Sequence, residues 1–356
     1  MADAVLVTGA FGLVGSATVK RLAADGRRVV ATDLDVPENR KAAADLPAGV
    51  EVRWADLTDP LEVDALLAAV TPAAIIHLAA IIAPFCYARA KLARKVSVDA
   101  TGNLVAAATA QEQPPRFVQI SSVAVYGARN PHTAKGLLSA DLPMHPTDLY
   151  GTHKADAEKL VRASNLDWVV LRLGGVLTVE LSFDIKPEFL FFESALPTDG
   201  RIQTVDVRDV ARACAAATTA DCVGETLLIG GDDATHRMTQ GDIGSAVAGA
   251  MGLVGAIPIG RKGNPDSDAD WFATDWMDTT RAQEVLKFQH HTFPDMLAET
   301  AELAGWKRYP FRAIAPLIGV FLRRQSAYRN TPGQYADPWG AIRGKWGDPG
   351  PDRSES

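Results

Sequence analysis

The sequence predicts an α/β protein in which a doubly wound parallel sheet is followed by a smaller, loop-rich lobe. Short apolar runs alternate with helix-patterned stretches from Ala4 to about Gly174, the rhythm of strands joined by helical crossovers. Two of these runs, residues 74–78 and 117–120, lack the polar alternation of a half-exposed strand, as expected where helices cover both faces of a sheet. With 47% hydrophobic and 22% charged residues over 356 positions, the chain has ordinary globular composition, with apolar material for one large core or two unequal ones.

Taken in order, the first strand lies in AVLVTGA and is followed by an apolar-periodic helix to Ala24. Later strands lie in RRVVATD, EVRWADL, AAIIHLAA, RFVQISS and WVVLRLGG. The two uniformly apolar runs belong at the centre of the sheet. Beyond Gly174 the rhythm breaks up, with Pro187, Pro197, Pro258 and several glycine pairs. Residues 175–330 are therefore read as a mixed lobe that recognises substrate, with the chain free to cross between lobes. Residues 331–356, rich in glycine, proline and charge, offer little apolar surface against the entropy of ordering, which predicts a flexible or surface-draped tail.

A net charge of −7 without any block of like charges gives no electrostatic footprint for nucleic acid. Cys86, Cys214 and Cys222 are scattered and odd in number, which fits reduced thiols in the cytosol and no structural zinc. Met1 leads straight into an apolar strand without a basic leader, and no run reaches the roughly 18 apolar residues of a spanning helix. A cytoplasmic location is expected.

The segment TGAFGLVG sits between the first strand and the first helix. Gly9 there permits a tight turn, Gly12 lets backbone approach a pyrophosphate, and Gly15 lets helix and strand pack closely. The helix N-terminus adds free amides and a favourable dipole for phosphate. Asp33, closing the second strand, is placed to accept from the adenosine ribose hydroxyls and would repel a 2′-phosphate, so NAD is expected rather than NADP. Residues 1–174 are accordingly read as a Rossmann-type dinucleotide-binding domain.

YGTHK, continued by ADAEKLVRA, reads as a helix that puts Tyr150 and Lys154 on one face. A nearby ammonium favours the phenolate, which is expected to bring the tyrosine pKa down toward a useful range. Ser122 ends a buried strand, where open parallel sheets place ligand contacts, and can hydrogen-bond a substrate oxygen.

TGAFGLVG, HLAA at 77–80, SSVAVYG and YGTHK, in this order and spacing, resemble the extended short-chain dehydrogenase/reductase family, its NAD-dependent epimerase/dehydratase group. The resemblance covers roughly residues 4 to 230. It implies Ser122, Tyr150 and Lys154 as a catalytic triad, Phe11 and Leu13 within the cofactor loop, Asp56 and Leu57 beside the adenine, and Leu78, Ala79 and Ala80 along the cofactor cleft. It also makes His77 structural, makes the VDVRDVA stretch at 205–211 chiefly structural, and implies a homodimer paired partly through the YxxxK helix. Three departures bear on substrate. Ser97 stands where the family usually carries the asparagine of NVxGT, LGGVLTVEL replaces the turn common in sugar-nucleotide enzymes, and Ala124 replaces a frequent polar neighbour of the serine.

Arg237, Arg261 and Arg281 are candidate grips for a diphosphate, and His290 and His291 lack the further ligands a metal would need. The stretch 311–324, FRAIAPLIGVFLRR, has an apolar centre between basic ends. It fits either a weak contact with a membrane surface or a terminal helix packed on the second lobe. The resulting expectation is an NAD-dependent oxidoreductase moving a hydride between the nicotinamide and a secondary alcohol or ketone, with a lipophilic substrate suggested by the missing sugar-nucleotide turn and the apolar segment. The alternative is a nucleotide-sugar epimerase that retains its NAD.

Overall fold

A computed structural model describes residues 4–180 and 186–351. Seven parallel strands form the main sheet: β1 (Val5–Thr8), β2 (Val29–Asp33), β3 (Glu51–Trp54), β4 (Ala74–His77), β5 (Arg116–Ser122), β6 (Trp168–Leu173) and β9 (Thr226–Ile229). Their spatial order is β3-β2-β1-β4-β5-β6-β9, so β4 is the middle strand with β5 beside it, where their unbroken apolar patterns put them. The fold is the doubly wound, Rossmann-like α/β sheet expected. The order reverses between β1 and β4, whose register pairs Thr8 with His77. In open sheets of this kind the crevice beyond the strand ends at that reversal receives ligands.

Each sheet face is sealed by its own apolar layer. One gathers Val5, Val7 and Ile76 with Val19 and Leu22 of the Leu13–Ala24 helix and Val210 and Cys214 of the Val207–Ala217 helix. The other gathers Leu6, Val30 and Ile75 with Leu66 and Leu67 of the Pro60–Val70 helix and Leu104 of the Ala100–Thr109 helix. Alternate residues of β1 thus feed opposite layers, as the two-residue period of a strand requires.

Past residue 174 the chain builds a three-stranded sheet, β10-β8-β7, from β7 (Gly175–Leu177), β8 (Arg201–Asp206) and β10 (Arg237–Thr239). Between β8 and β10 it returns to the large sheet as edge strand β9. The VDVRDVA element is structural in detail. Asp206 caps the Val207–Ala217 helix through the Arg208 amide at 2.7 Å. Asp209 accepts from the His290 and His291 amides, both at 2.9 Å, and lies 2.7 Å from Nδ1 of His291.

The tail differs from its sequence reading. Residues 338–346 form a helix (Pro338–Trp346) capped by Asp337, and its Ile342 is fully buried. The carbonyl of Pro349 accepts from the Leu149 amide at 2.9 Å. Composition missed this because the few apolar residues present, Trp339, Ile342 and Trp346, are spaced along one helical face and dock as a unit. Residues 352–356 of that tail lie outside the described residues.

Candidate active site

The cofactor loop is tight for reasons visible in its glycines. Gly9 has φ of +62°, and a Cβ there would meet the Ala79 amide nitrogen at 2.8 Å. A Cβ at Gly15 would stand 2.1 Å from the Gly9 carbonyl oxygen, so only glycine lets the helix begin so close to the strand. A Cβ at Gly12 would meet its nearest atom at 3.5 Å, an ordinary contact. Its constraint comes from what must approach it, since Gly12 is the N-cap of the Leu13–Ala24 helix and supplies no side chain to its free amides. Phe11 is half-buried and its ring lies 5.4 Å from that of Trp54, while Leu13 faces solvent.

Asp33 stands at the end of β2. Its carboxylate accepts from the amides of Leu34 at 2.9 Å and Phe11 at 3.4 Å. Burial raises its pKa against these bonds, which act to lower it. Beyond β3, Asp56 accepts from the amide and hydroxyl of Thr58, and the carbonyl of buried Leu57 accepts from Asn103 at 3.1 Å. Beyond β4, the amides of Leu78 and Ala79 donate to Thr8 Oγ1 at 3.2 and 3.4 Å, and Ala80 follows them along the cleft. Gly9, Asp33, Asp56, Leu78 and Ser122 therefore all lie at or just beyond the carboxyl ends of neighbouring strands. The cradle fits a dinucleotide: uncapped amides face a surface with no Cβ, and an acid on the next strand has two acceptor oxygens.

His77 is a fully buried structural hub. Its Nδ1 lies 2.7 Å from Thr8 Oγ1 and its Nε2 lies 3.0 Å from Thr101 Oγ1. Burial first, and the charge of Lys154 second, push its pKa down to about 3, so it is neutral at physiological pH. Ser97, in place of the usual asparagine, sits on a π-helical turn (Lys95–Asp99), and its Oγ accepts from the Ile81 amide at 3.2 Å. The shorter side chain still supports the backbone beyond β4.

Ser122 ends β5 and Tyr150 begins the Leu149–Arg162 helix. Two features join them. Asp148 caps that helix, accepting from the Tyr150 and Gly151 amides at 3.1 Å each, and also takes a 2.7 Å bond from the Tyr87 hydroxyl. A Cβ at Gly151 would meet the Ala124 carbonyl at 2.4 Å, so glycine allows the helix to rest on the turn that follows Ser122. The Tyr150 hydroxyl is thereby brought beside the Ser122 side chain, which acts to lower its pKa. Lys154 Nζ donates to the Ile120 carbonyl at 2.9 Å, and burial lowers its pKa to about 8 against the raising influence of Glu158.

The tyrosine itself departs from expectation. Burial pushes its pKa up, not down; the Ser122 side chain opposes that rise, while Cys86 and Asp148 add to it. The lysine is committed to a main-chain carbonyl, and burial of the phenol is the dominant influence.

Several supporting residues are absent from the sequence reading. Glu158, one turn beyond Lys154 and fully buried, takes two bonds from Arg172, at 2.9 and 2.7 Å, and one from Ser121. Arg172 also donates to the Tyr126 hydroxyl at 2.6 Å. Asp148 carried a legible signal as a helix-capping acid before LYG; Glu158 and Arg172 carried none, because their pairing joins distant segments. Above Tyr150 stands an aromatic wall in which Tyr87, Phe192, Phe272 and Trp339 follow one another at ring separations of 6.4, 5.5 and 5.4 Å. The arginines proposed as diphosphate grips are engaged elsewhere. Arg237 pairs with Asp233 at 2.7 Å, Arg281 pairs with Glu225 at 2.7 Å, and Arg261 stacks over Tyr328 at 4.4 Å.

The model of the NAD dependent epimerase/dehydratase family matches residues 5–180. D-erythronate dehydrogenase from Cupriavidus necator is 29% identical over 48% of this chain, which spans about half (54%) of that enzyme. dTDP-glucose 4,6-dehydratase from Neisseria meningitidis serogroup B is 31% identical over 64% of this chain and 70% of its own length. Among solved structures, MoeE5 in complex with UDP-glucuronic acid and NAD superposes with a TM-score of 0.65 at 27% identity, over 86% of this chain and 99% of that one. Among the described residues no helix is long and apolar enough to cross a membrane. The glycine cradle, the strand order and the extent of these matches agree: the chain belongs to the NAD-dependent epimerase/dehydratase family of extended short-chain dehydrogenases/reductases.

Proposed function

We propose that the protein is an NAD-dependent oxidoreductase that interconverts a lipophilic secondary alcohol and its ketone, with Ser122, Tyr150 and Lys154 as its catalytic residues. The observation that carries this reading is the placing of Ser122, at the end of a central strand, beside the Tyr150 hydroxyl, with apolar and aromatic side chains packed against Tyr150. NAD, when bound over Gly9, Gly12 and Gly15 with its ribose at Asp33, supplies the hydride acceptor in oxidation and, reduced, the hydride donor. The two hydroxyls converge on the substrate oxygen. In oxidation the Tyr150 phenolate takes the hydroxyl proton as the carbinol hydrogen leaves with its electron pair; in reduction the Tyr150 phenol gives that proton to the oxygen and is left as phenolate. Ser122 holds the oxygen through the change of geometry. Lys154, with its pKa near 8, is largely protonated at neutral pH and, held to the Ile120 carbonyl, places an ammonium one helical turn beyond Tyr150.

The aromatic wall favours a substrate with an apolar body. The alternative, a nucleotide-sugar epimerase, would need a grip on a diphosphate, whereas Arg237 and Arg281 are ion-paired within the chain and Arg261 is stacked on Tyr328. We further propose that substrate recognition falls to residues 175–330 together with the Pro338–Trp346 helix. A homodimer packed on the Leu149–Arg162 helix, whose Leu160 faces outward, and a cytoplasmic site of action complete the proposal; light scattering checks the first.

The test is a cofactor-reduction screen of the purified protein with apolar secondary alcohols and with nucleotide sugars. Net NADH formation with the alcohols is expected. Tyr150→Phe should lower turnover by about 10²–10⁴-fold, the usual contribution of a positioned acid/base, while leaving NAD affinity unchanged. Tightly retained NAD with no net reduction, together with epimerisation of a nucleotide sugar, would reverse the assignment.

A further inference from the structure

The helix Arg308–Gln325 buries little of itself. Ala315 and Gly319 face the protein, and a Cβ at Gly319 would come within 3.2 Å of the Ala256 carbonyl oxygen, so small residues set that contact. The opposite face presents Ile314, Leu317 and Phe321, at spacings that share one side of a helix, with Val320 beside them. Leu317 is 72% exposed and Phe321 52%. Trp306 and Tyr309, 73% and 80% exposed, extend this surface at the N-terminal end. A contiguous exposed apolar face of this kind marks an interaction site.

Charge identifies the partner. Between Leu303 and Ala336 the sequence holds Lys307, Arg308, Arg312, Arg323, Arg324 and Arg329 and no carboxylate, in a chain whose net charge is −7. The cations bracket the apolar centre at both ends. A second copy is a poor cover for this face, because either orientation of two such helices sets cationic ends against cationic ends with no acid to offset them. An anionic polymer would meet the charge but has no apolar interior for Leu317 and Phe321. A bilayer with anionic headgroups satisfies both, with apolar side chains below the headgroups and basic ones reaching back to the phosphates. The helix has 18 residues with a proline at 316 and ends in arginines, so it lies along the surface rather than across it.

We propose that the Arg308–Gln325 helix docks the enzyme in plane on an anionic lipid surface. This inference is independent of the redox reading, since none of these residues belongs to the candidate active site.

Vesicle flotation of the full-length protein tests it, with phosphatidylcholine vesicles prepared with and without phosphatidylglycerol. Binding is expected only with phosphatidylglycerol and should weaken as salt rises. Arg323→Ala/Arg324→Ala should weaken it roughly 30-fold, at about fivefold per cation lost near an anionic surface. Leu317→Glu/Phe321→Glu should abolish it at an unchanged melting temperature, because both side chains are exposed. Tyr150→Phe should bind as the wild type does. The proposal is overturned if the protein ignores phosphatidylglycerol vesicles at low salt, or if light scattering shows a dimer that Leu317→Glu dissociates.

Discussion

Replacing Glu158 by glutamine isolates the least visible support of the active site. Both carboxylate oxygens are in use. Oε1 accepts from Ser121 and Arg172, and Oε2 accepts from Arg172 at 2.7 Å and Arg162 at 3.2 Å. Glutamine keeps one acceptor and turns the other oxygen into a donor facing guanidinium donors, while the Arg172 charge stays almost wholly buried. Breaking a buried pair from one side typically costs about 3–5 kcal/mol, and urea denaturation should show a loss of that order. The penalty belongs to the abandoned charge rather than to the contact, so Glu158→Met/Arg172→Met should be less destabilised than the two single variants summed. The same change removes the influence that raises the Lys154 pKa, so the value near 8 should fall and the alkaline limb of the pH–rate profile should move to lower pH. Strict additivity, or a single variant within about 1 kcal/mol of the wild type, which is the range of an exposed pair, would refute this account.

Gly12→Ala should fold with an unchanged melting temperature yet bind NAD more than about tenfold more weakly, a cost above about 1.4 kcal/mol, whereas Gly15→Ala, facing a 2.1 Å contact, should lose stability as well; calorimetry with titration separates the two. Asp33→Ala removes a charged acceptor worth about 1.5–3 kcal/mol, so NAD affinity should drop about 10–100-fold and the discrimination against NADP should narrow; a wild type that prefers NADPH contradicts the role given to Asp33. His77 has its folded pKa near 3, below the unfolded value near 6.5. Between those pH values the unfolded chain binds the extra proton, so stability is full above about 6.5 and is lost as pH falls through the window. His77→Gln should flatten that part of the stability–pH curve, and an unchanged slope would show that other groups carry it.

The sheet was legible because its evidence is local. Unbroken apolar runs put β4 and β5 in the middle, and the spacing of Gly9, Gly12 and Gly15 implied a phosphate-binding turn whose crowding the structure makes explicit. Electrostatics were less legible, because a pKa depends on what surrounds a group. The rule that a lysine one turn away lowers a tyrosine pKa ignores burial, which at Tyr150 acts first and in the other direction. The tail was misread for a related reason. Averaging over 331–356 hides three apolar residues whose spacing matters more than their number.

Those three residues tie the end of the chain to the chemistry. Ile342, Trp339 and Trp346 pack in the same cluster as Tyr150, and the Pro349 carbonyl holds the amide of Leu149 at the first turn of the helix that carries Tyr150. The segment that walls the substrate side therefore also fixes the helix bearing the proposed acid/base. It follows the basic, outward-facing Arg308–Gln325 helix in the chain. If that helix rests on a lipid surface, the aromatic wall opens close to where an apolar alcohol would be dissolved. Adding phosphatidylglycerol vesicles should then lower the apparent KM for the more apolar substrates and leave short, water-soluble ones unaffected. An equal response for both would separate membrane docking from substrate capture.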